Sequence, residues 1–236
     1  MRPEQLALDL ALRPALGRQA FVVTRANMAA LEILERGPWP GGRLALSGPA
    51  ASGKTHLAHV WAADTGAVIV GAAELARLDT ATLAGAGRIA VEDVPAIGGD
   101  AAAETALFHL YNRMGAAGGF LLLTGRTLPA HWPLALPDLR SRMRALTAAE
   151  LNPPDEALLG ALLEKQFADR GMDVAPQVLM FLVPRMPRTA AAARALATEI
   201  DRLSLARQQA VTVPLARLAL DRVSSLCHTP APGDQP

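Results

Sequence analysis

An α/β domain with a parallel sheet flanked by helices, followed by a smaller all-helical domain, is the fold class that three features of the sequence predict. The first is a short apolar run, Leu44 to Leu46, that breaks at Gly48 and leads into a helical pattern opening at Lys54 and Thr55. The second is an apolar run that ends in acids, Arg88-Ile89-Ala90-Val91-Glu92-Asp93. Uninterrupted apolar runs of this kind suit strands buried on both faces of a parallel sheet. The third is Pro153-Pro154, which breaks the pattern and after which every segment reads as helical.

The bulk numbers fit that frame. A chain of 236 residues can bury a proper core and has room for one domain plus a smaller one. Apolar residues make up 51% and charged residues 19%, a globular composition rather than a disordered one. The net charge of +1 provides no overall basic field for nucleic acid, so any such contact would be local. The single cysteine, Cys227, has no internal partner and suits a reducing compartment. Met1 to Pro14 carries Glu4 and Asp9 and lacks the apolar core of a signal peptide, and no run approaches a membrane span. A soluble cytoplasmic protein is the expectation.

Between Leu46 and the following helix lies Gly48-x-x-x-x-Gly53-Lys54-Thr55, the full phosphate-binding loop. Gly48 and Gly53 allow a tight backbone with positive φ, so that successive N–H groups point at one phosphate chain. The helix that opens near Lys54 adds its positive N-terminal dipole. Lys54 should reach the β and γ phosphates, and the Thr55 hydroxyl should ligate Mg²⁺.

The other elements follow in order. In residues 1–19, Leu6, Leu8 and Leu10 share a face if extended, while Leu6 and Leu10 also fit one helical turn. Such a segment would dock on its own core or in a partner's groove, and the residues alone favour the core. Phe21-Val22-Val23 is a short apolar piece, and Asn27 should cap a helix from Met28 to Arg36. Gly37 to Gly42 reads as a loop, Ala67 to Val70 as a strand, and Glu74 to Leu83 as a short helix.

The strand ending at Glu92-Asp93 matches the Walker B pattern, in which a buried strand delivers carboxylates to the metal edge. Asp93 or Glu92 should hold Mg²⁺ through water, and the other could orient an attacking water. Glu104 to Met114 reads as helical, with Leu107, Leu110 and Met114 on one face. Phe120 to Leu123 reads as a strand, with Thr124 and Arg126 at its tip as candidate sensors of the γ phosphate. From Leu136 to Arg144 three arginines, Arg140, Arg142 and Arg144, alternate in what reads as a basic loop. They are either a solvated surface or a source of an arginine for a neighbour's phosphate, which the planar guanidinium fork suits.

Beyond the proline pair, helices are expected over Asp155 to Arg170, from Pro176 to about Arg185, over Thr189 to Gln208, and over Leu215 to Val223. Ser224 to Pro236 is Pro-rich and expected to be disordered. The five histidines show no metal-ligand spacing, and no Ser/His/Asp or Cys/His set stands out.

Taken together, a phosphate loop, a Walker B strand, a sensor strand, an arginine loop and a helical lid resemble the AAA+ ATPase module. Phe21-Val22-Val23, Asn27 and Gly53-Lys54-Thr55-His56-Leu57 resemble the ATPase module of the initiator DnaA. Leu107-Phe108-His109-Leu110-Tyr111-Asn112-Arg113, Thr124-Gly125 and Leu136-Pro137-Asp138-Leu139-x-Ser141-Arg142 are closer to the Hda family of DnaA-like inactivators. The likeness runs from Gln5 to about Leu220.

That resemblance implies four segments: a clamp-binding peptide and linker (1–19), the α/β core (20–150), the lid (151–223) and a tail (224–236). Gln5, Leu6, Leu8 and Leu10 would bind the DNA polymerase III β sliding clamp, which reverses the preference for core docking. Val22, Gly48, Ala51, Ser52, Gly53, Lys54, Thr55, His56 and Arg188 would hold ADP or ATP, with Mg²⁺ at Thr55, Glu92 and Asp93. Arg142 would be the finger offered to ATP on DnaA, making the chain a negative regulator of initiation. The absence of a DNA-reading helix-turn-helix after the lid argues against an initiator and against sequence-specific DNA binding. A homodimer is left open, and a helicase-loader ATPase is the alternative. Three positions depart from the family: Glu92 replaces the usual Asp, Arg126 stands where relatives carry Asp, and Ala191 falls at the second sensor, with Arg188 and Arg194 a turn to either side. Strong intrinsic ATP turnover is therefore not expected.

Overall fold

The computed structural model describes residues 23–24, 27–37 and 39–227. Five strands form one sheet in the order β2-β3-β4-β1-β5. They are β1 (Arg43–Ser47), β2 (Val68–Gly71), β3 (Arg88–Glu92), β4 (Phe120–Gly125) and β5 (Ala148–Glu150), and every neighbouring pair is parallel. The insertion of β4 between β1 and β3 matters for the site. The register sets Leu46 beside Thr124 and Val91 beside Leu123, so the tips of all three strands come level at one edge.

Alternation along the strands divides the core. Leu44, Leu46, Ala90 and Leu122 pack with Ala30 and Leu34 of α1 (Met28–Arg36) and with Leu57, Ala58 and Trp61 of α2 (Lys54–Thr65). Ala45, Ile89, Val91, Leu121 and Leu123 face the other way. There they meet Leu107, Leu110 and Met114 of α4 (Ala101–Ala116) and Leu139 and Met143 of α5 (Pro137–Arg144). Helices thus cover both faces, as a parallel sheet demands.

The remaining helices, α6 (Glu156–Ala168), α7 (Pro176–Leu182), α8 (Ala190–Arg207) and α9 (Val213–Cys227), form the second unit. Their core centres on Leu159, Leu163, Phe167, Leu196 and Ile200. Asp155 caps α6 by accepting from Leu158 N–H at 2.7 Å, and Thr189 caps α8 by accepting from Ala192 N–H at 3.0 Å. No helix of the described residues is long and apolar enough to cross a membrane.

Five local expectations need correction. Asn27 precedes α1 as expected, but its carboxamide accepts from Thr24 N–H at 2.8 Å instead of from the helix. The segment 74–83 is not one helix. A 3₁₀ turn, Ala72–Arg77, ends before Asp79, whose carboxylate accepts from Ala81 and Thr82 N–H and starts a separate α3 (Thr80–Ala84). The stretch around Arg142 is helix α5 and not a loop, because Pro137 sits at its first turn, where its missing N–H costs nothing. Strand β5 was not foreseen. Three residues, Ala148–Glu150, carry too little pattern to read, and pairing with β1 defines them. Finally, α9 runs through Ser224 and Ser225 to Cys227, past the expected end at Val223. Nothing breaks it there, and Ser225 Oγ donates back to Asp221 O at 2.8 Å within the helix.

Candidate functional site

The phosphate loop leaves β1 through a backbone only glycine fits. Gly48 has φ +157°, and a Cβ there would overlap the carbonyl oxygen of Leu151. Gly53, at φ +98°, caps α2, and between them Ala51 takes φ +60° without being glycine. Left-handed non-glycine residues cost energy and gather where geometry is dictated by use. The Lys54 ammonium folds over the loop and donates to the carbonyls of Gly48 and Pro49, each at 2.7 Å. Burial lowers its pKa, Arg126 lowers it further, and Asp93 partly opposes them. The acid after β3 and the arginine after β4 therefore both bear on the loop lysine.

Asp93 leaves β3 in the left-handed region, at φ +54°. Its N–H donates to Thr124 Oγ1 at 3.0 Å, and Thr124 is itself buried. Glu92 points inward, and its Oε1 is buried with no hydrogen-bond partner; Ser47 Oγ, at the end of β1, is likewise unpartnered. Thr55 and Asp93 are exposed. A hydroxyl, an orphaned carboxylate oxygen and a second carboxylate at one strand edge fit a hydrated Mg²⁺ that takes few protein ligands. Among the described residues no group of three or more His, Cys, Asp or Glu is placed to hold a metal ion.

His56, in the first turn of α2, has its pKa lowered by burial, then by Arg194 of α8 and by His59. The charge of Arg194 in the helical unit thus bears on the first turn of the phosphate-loop helix. Arg188 is engaged elsewhere, donating to Glu156 at 3.3 Å on the exposed surface.

Arg142 belongs to a different element, α5. It is exposed on α5, its guanidinium 5.1 Å from the Phe108 ring and 5.3 Å from the Tyr111 ring, both on α4. The carbonyl of Tyr111 accepts from Arg43 at 2.9 Å, at the opening residue of β1. The phosphate loop begins at the other end of that strand, roughly 13 Å away at the usual rise per residue. Arg126 and Arg144 are exposed, and Arg140 reaches back to the Leu134 carbonyl at 3.5 Å.

One contributor escaped the sequence reading. Glu104 of α4 is 1% exposed; its Oε1 accepts from Gly99 N–H at 2.8 Å and Ala135 N–H at 2.9 Å, and its Oε2 from Leu136 N–H at 2.6 Å. Burial by itself would raise its pKa, but the three N–H bonds outweigh it and hold the carboxyl below the usual range. The signal was there: an acid sharing the apolar helix face with Leu107 and Leu110. Gln5, Leu6, Leu8, Leu10 and Val22 lie outside the described residues.

A parallel five-stranded sheet, a phosphate loop and acids at its strand tips, and an appended helical unit together make up the AAA+ fold. Similar folds are known. Domain III of the Thermotoga maritima replication initiation protein DnaA is 20% identical, with a TM-score of 0.74 over 89% of this chain and 98% of that one. AMPPCP-bound DnaA from Aquifex aeolicus is 15% identical, with a TM-score of 0.67 over 80% of this chain and 66% of that one. The Thermotoga maritima RuvB Holliday junction branch migration motor is 16% identical, with a TM-score of 0.62 over 84% of this chain and 66% of that one. Residues 155–220 match the family model of the Hda lid domain. The chain therefore has a DnaA-like α/β fold, and its helical unit is similar to the Hda lid domain over residues 155–220.

Proposed function

We propose that this chain binds an adenine nucleotide and, held on the sliding clamp, stimulates ATP hydrolysis by DnaA through Arg142. The observation that carries this reading is the setting of Arg142: exposed on α5 and braced on the Phe108 and Tyr111 rings of α4. An arginine exposed and braced in this way would be available to a nucleotide held by a neighbour. Its guanidinium would stabilise charge developing on the transferring phosphoryl group.

The chain's own nucleotide would rest on the loop amides between Gly48 and Thr55. Lys54 would exchange the carbonyls of Gly48 and Pro49 for phosphate oxygens, and Arg194 would approach from the lid in preference to Arg188. Mg²⁺, when bound by Thr55, Glu92 and Asp93, would supply neutralising positive charge at the phosphates. The structure of a DnaA with AMPPCP bound and the Hda-family lid both support this reading. Gln5, Leu6, Leu8 and Leu10 would provide the clamp tether.

Phosphate release from purified ATP-DnaA tests the proposal, with this protein, ADP and DNA-loaded clamp added singly and together. Hydrolysis that rises only when all are present is the expected result. No rise, or ATP turnover by this protein without DnaA, would overturn it.

A further inference from the structure

We infer that Glu104 is a positioning residue that couples the acidic edge of the chain's own nucleotide site to the helix presenting Arg142. The inference rests on the role proposed above for Arg142.

Two distant chain segments meet at this one carboxylate. From Asp93 the backbone makes a 3₁₀ turn, Val94–Ile97, and reaches Gly99, whose N–H donates to Glu104 Oε1 at 2.8 Å. The stretch leading into α5 donates twice more, from Ala135 to the same Oε1 and from Leu136 to Oε2. Pro137, the next residue, begins α5. The two stretches also touch directly, since a Cβ on Gly98 would lie 2.6 Å from the Pro133 carbonyl oxygen. Glu104 is thus a buried bridge between the turn behind Asp93 and the first turn of the arginine helix.

The far end of α5 is registered by the same face of α4. Glu104, Phe108 and Tyr111 are spaced by four and three residues, so they stand in a row along one helix. The first pins the start of α5, and the rings of the other two carry the guanidinium of Arg142. A shift of the turn behind Asp93 must be followed by α5 or break a charge-assisted bond in a buried setting. Only a carboxylate serves here, because both oxygens accept. A carboxamide would set its NH₂ against one of the three N–H donors.

The test uses the full chain and two readouts. Amide hydrogen exchange is followed with and without MgADP, and DnaA hydrolysis is titrated with the clamp-loaded protein. In the unsubstituted protein MgADP should slow exchange over both 94–99 and 134–144. In Glu104→Gln the first response should persist and the second vanish. The saturating stimulation should fall about tenfold, while the concentration for half-maximal effect holds. Should Glu104→Gln not fold, Glu104→Asp, which keeps the charge but shortens the reach, should give the same split. An unresponsive 134–144 segment in the unsubstituted protein, or a variant that matches it in both readouts, would overturn the inference. If DnaA is not stimulated even by the unsubstituted protein, the role of Arg142 fails, and the exchange data alone decide the coupling.

Discussion

The N–H of Asp93 donates to Thr124 Oγ1 at 3.0 Å, so the acid at the tip of β3 is held by the hydroxyl at the tip of β4. Asp93 occupies the left-handed region at φ +54°, a conformation that costs an L-residue about 1–2 kcal/mol unless something fixes it. Thr124, only 3% exposed, is what fixes it. The residue read from the sequence as a candidate γ-phosphate sensor therefore also sets the aim of a candidate metal ligand.

Thr124→Val keeps the shape and removes the acceptor. Leaving the Asp93 N–H without a partner should cost about 1–3 kcal/mol, visible as a melting midpoint lowered by a few degrees. Affinity for MgADP, read by fluorescence titration, should fall with it. Thr124→Ser should restore both, and a valine variant that binds and melts normally would show the bond to be incidental.

Gly48→Ala places a methyl against the Leu151 carbonyl oxygen and 2.8 Å from Ser52 Oγ. The carbonyl has little room to yield, since Leu151 N–H is bonded to Ser47 O at 2.7 Å. Overpacking of this kind costs about 1–3 kcal/mol. Because the strain falls on the loop itself, nucleotide affinity should drop more than tenfold. Calorimetric titration with ADP checks this, and unchanged affinity would mean the loop adapts.

Arg142→Ala should leave melting and nucleotide affinity unchanged while reducing stimulation of DnaA by roughly 10³-fold. Arg142→Lys should not rescue it, because a point charge does not reproduce the planar fork. Survival of stimulation in the alanine variant would move the role to Arg140 or Arg144.

Leu6→Ala combined with Leu10→Ala should abolish capture of the clamp in a pull-down without altering thermal melting. A variant that melts early would instead tie these leucines to the chain's own core.

Lid stability should weaken in strong acid. Glu199 accepts from Arg202 at 2.7 Å and 2.8 Å and from Arg222 at 2.9 Å, and these bonds, opposed by burial, lower its pKa from 4.5 to about 2. A depressed carboxyl contributes stability that is fully present above its unfolded value near 4.5 and is lost as pH falls through about 2. The arginines are half-exposed, so the discounted contribution is about 1 kcal/mol. Melts of Glu199→Gln and the unsubstituted protein should differ at pH 6 and converge near pH 2; a constant difference would mean that charge plays no part.

The linear order of residues was enough for the phosphate loop, for four of the five strands and for the lid helices, because each is written in local patterns. Gly48 and Gly53 at fixed spacing, apolar runs with acids at the tip, and the capping residues Asp155 and Thr189 need no distant partner to be understood. β5 could not be read, since its three residues become a strand only by pairing with β1. In sequence the arginine segment reads as a loop because its alternating charges mask a helix whose buried side consists of Leu139 and Met143 alone.

Tertiary structure decided the relations between distant residues. It placed β4 between β1 and β3, which brought Thr124 to Asp93, and it set Arg194 of the helical unit where its charge lowers the pKa of His56, while Arg188 pairs with Glu156. It also gave Glu104 its three donors, two of them more than thirty residues away. Sequence spacing fixes what neighbours along the chain can do, through backbone geometry and periodicity. Which carboxylate meets which amide across the fold depends on how the helices seat on the sheet, and that is settled only when both cores close.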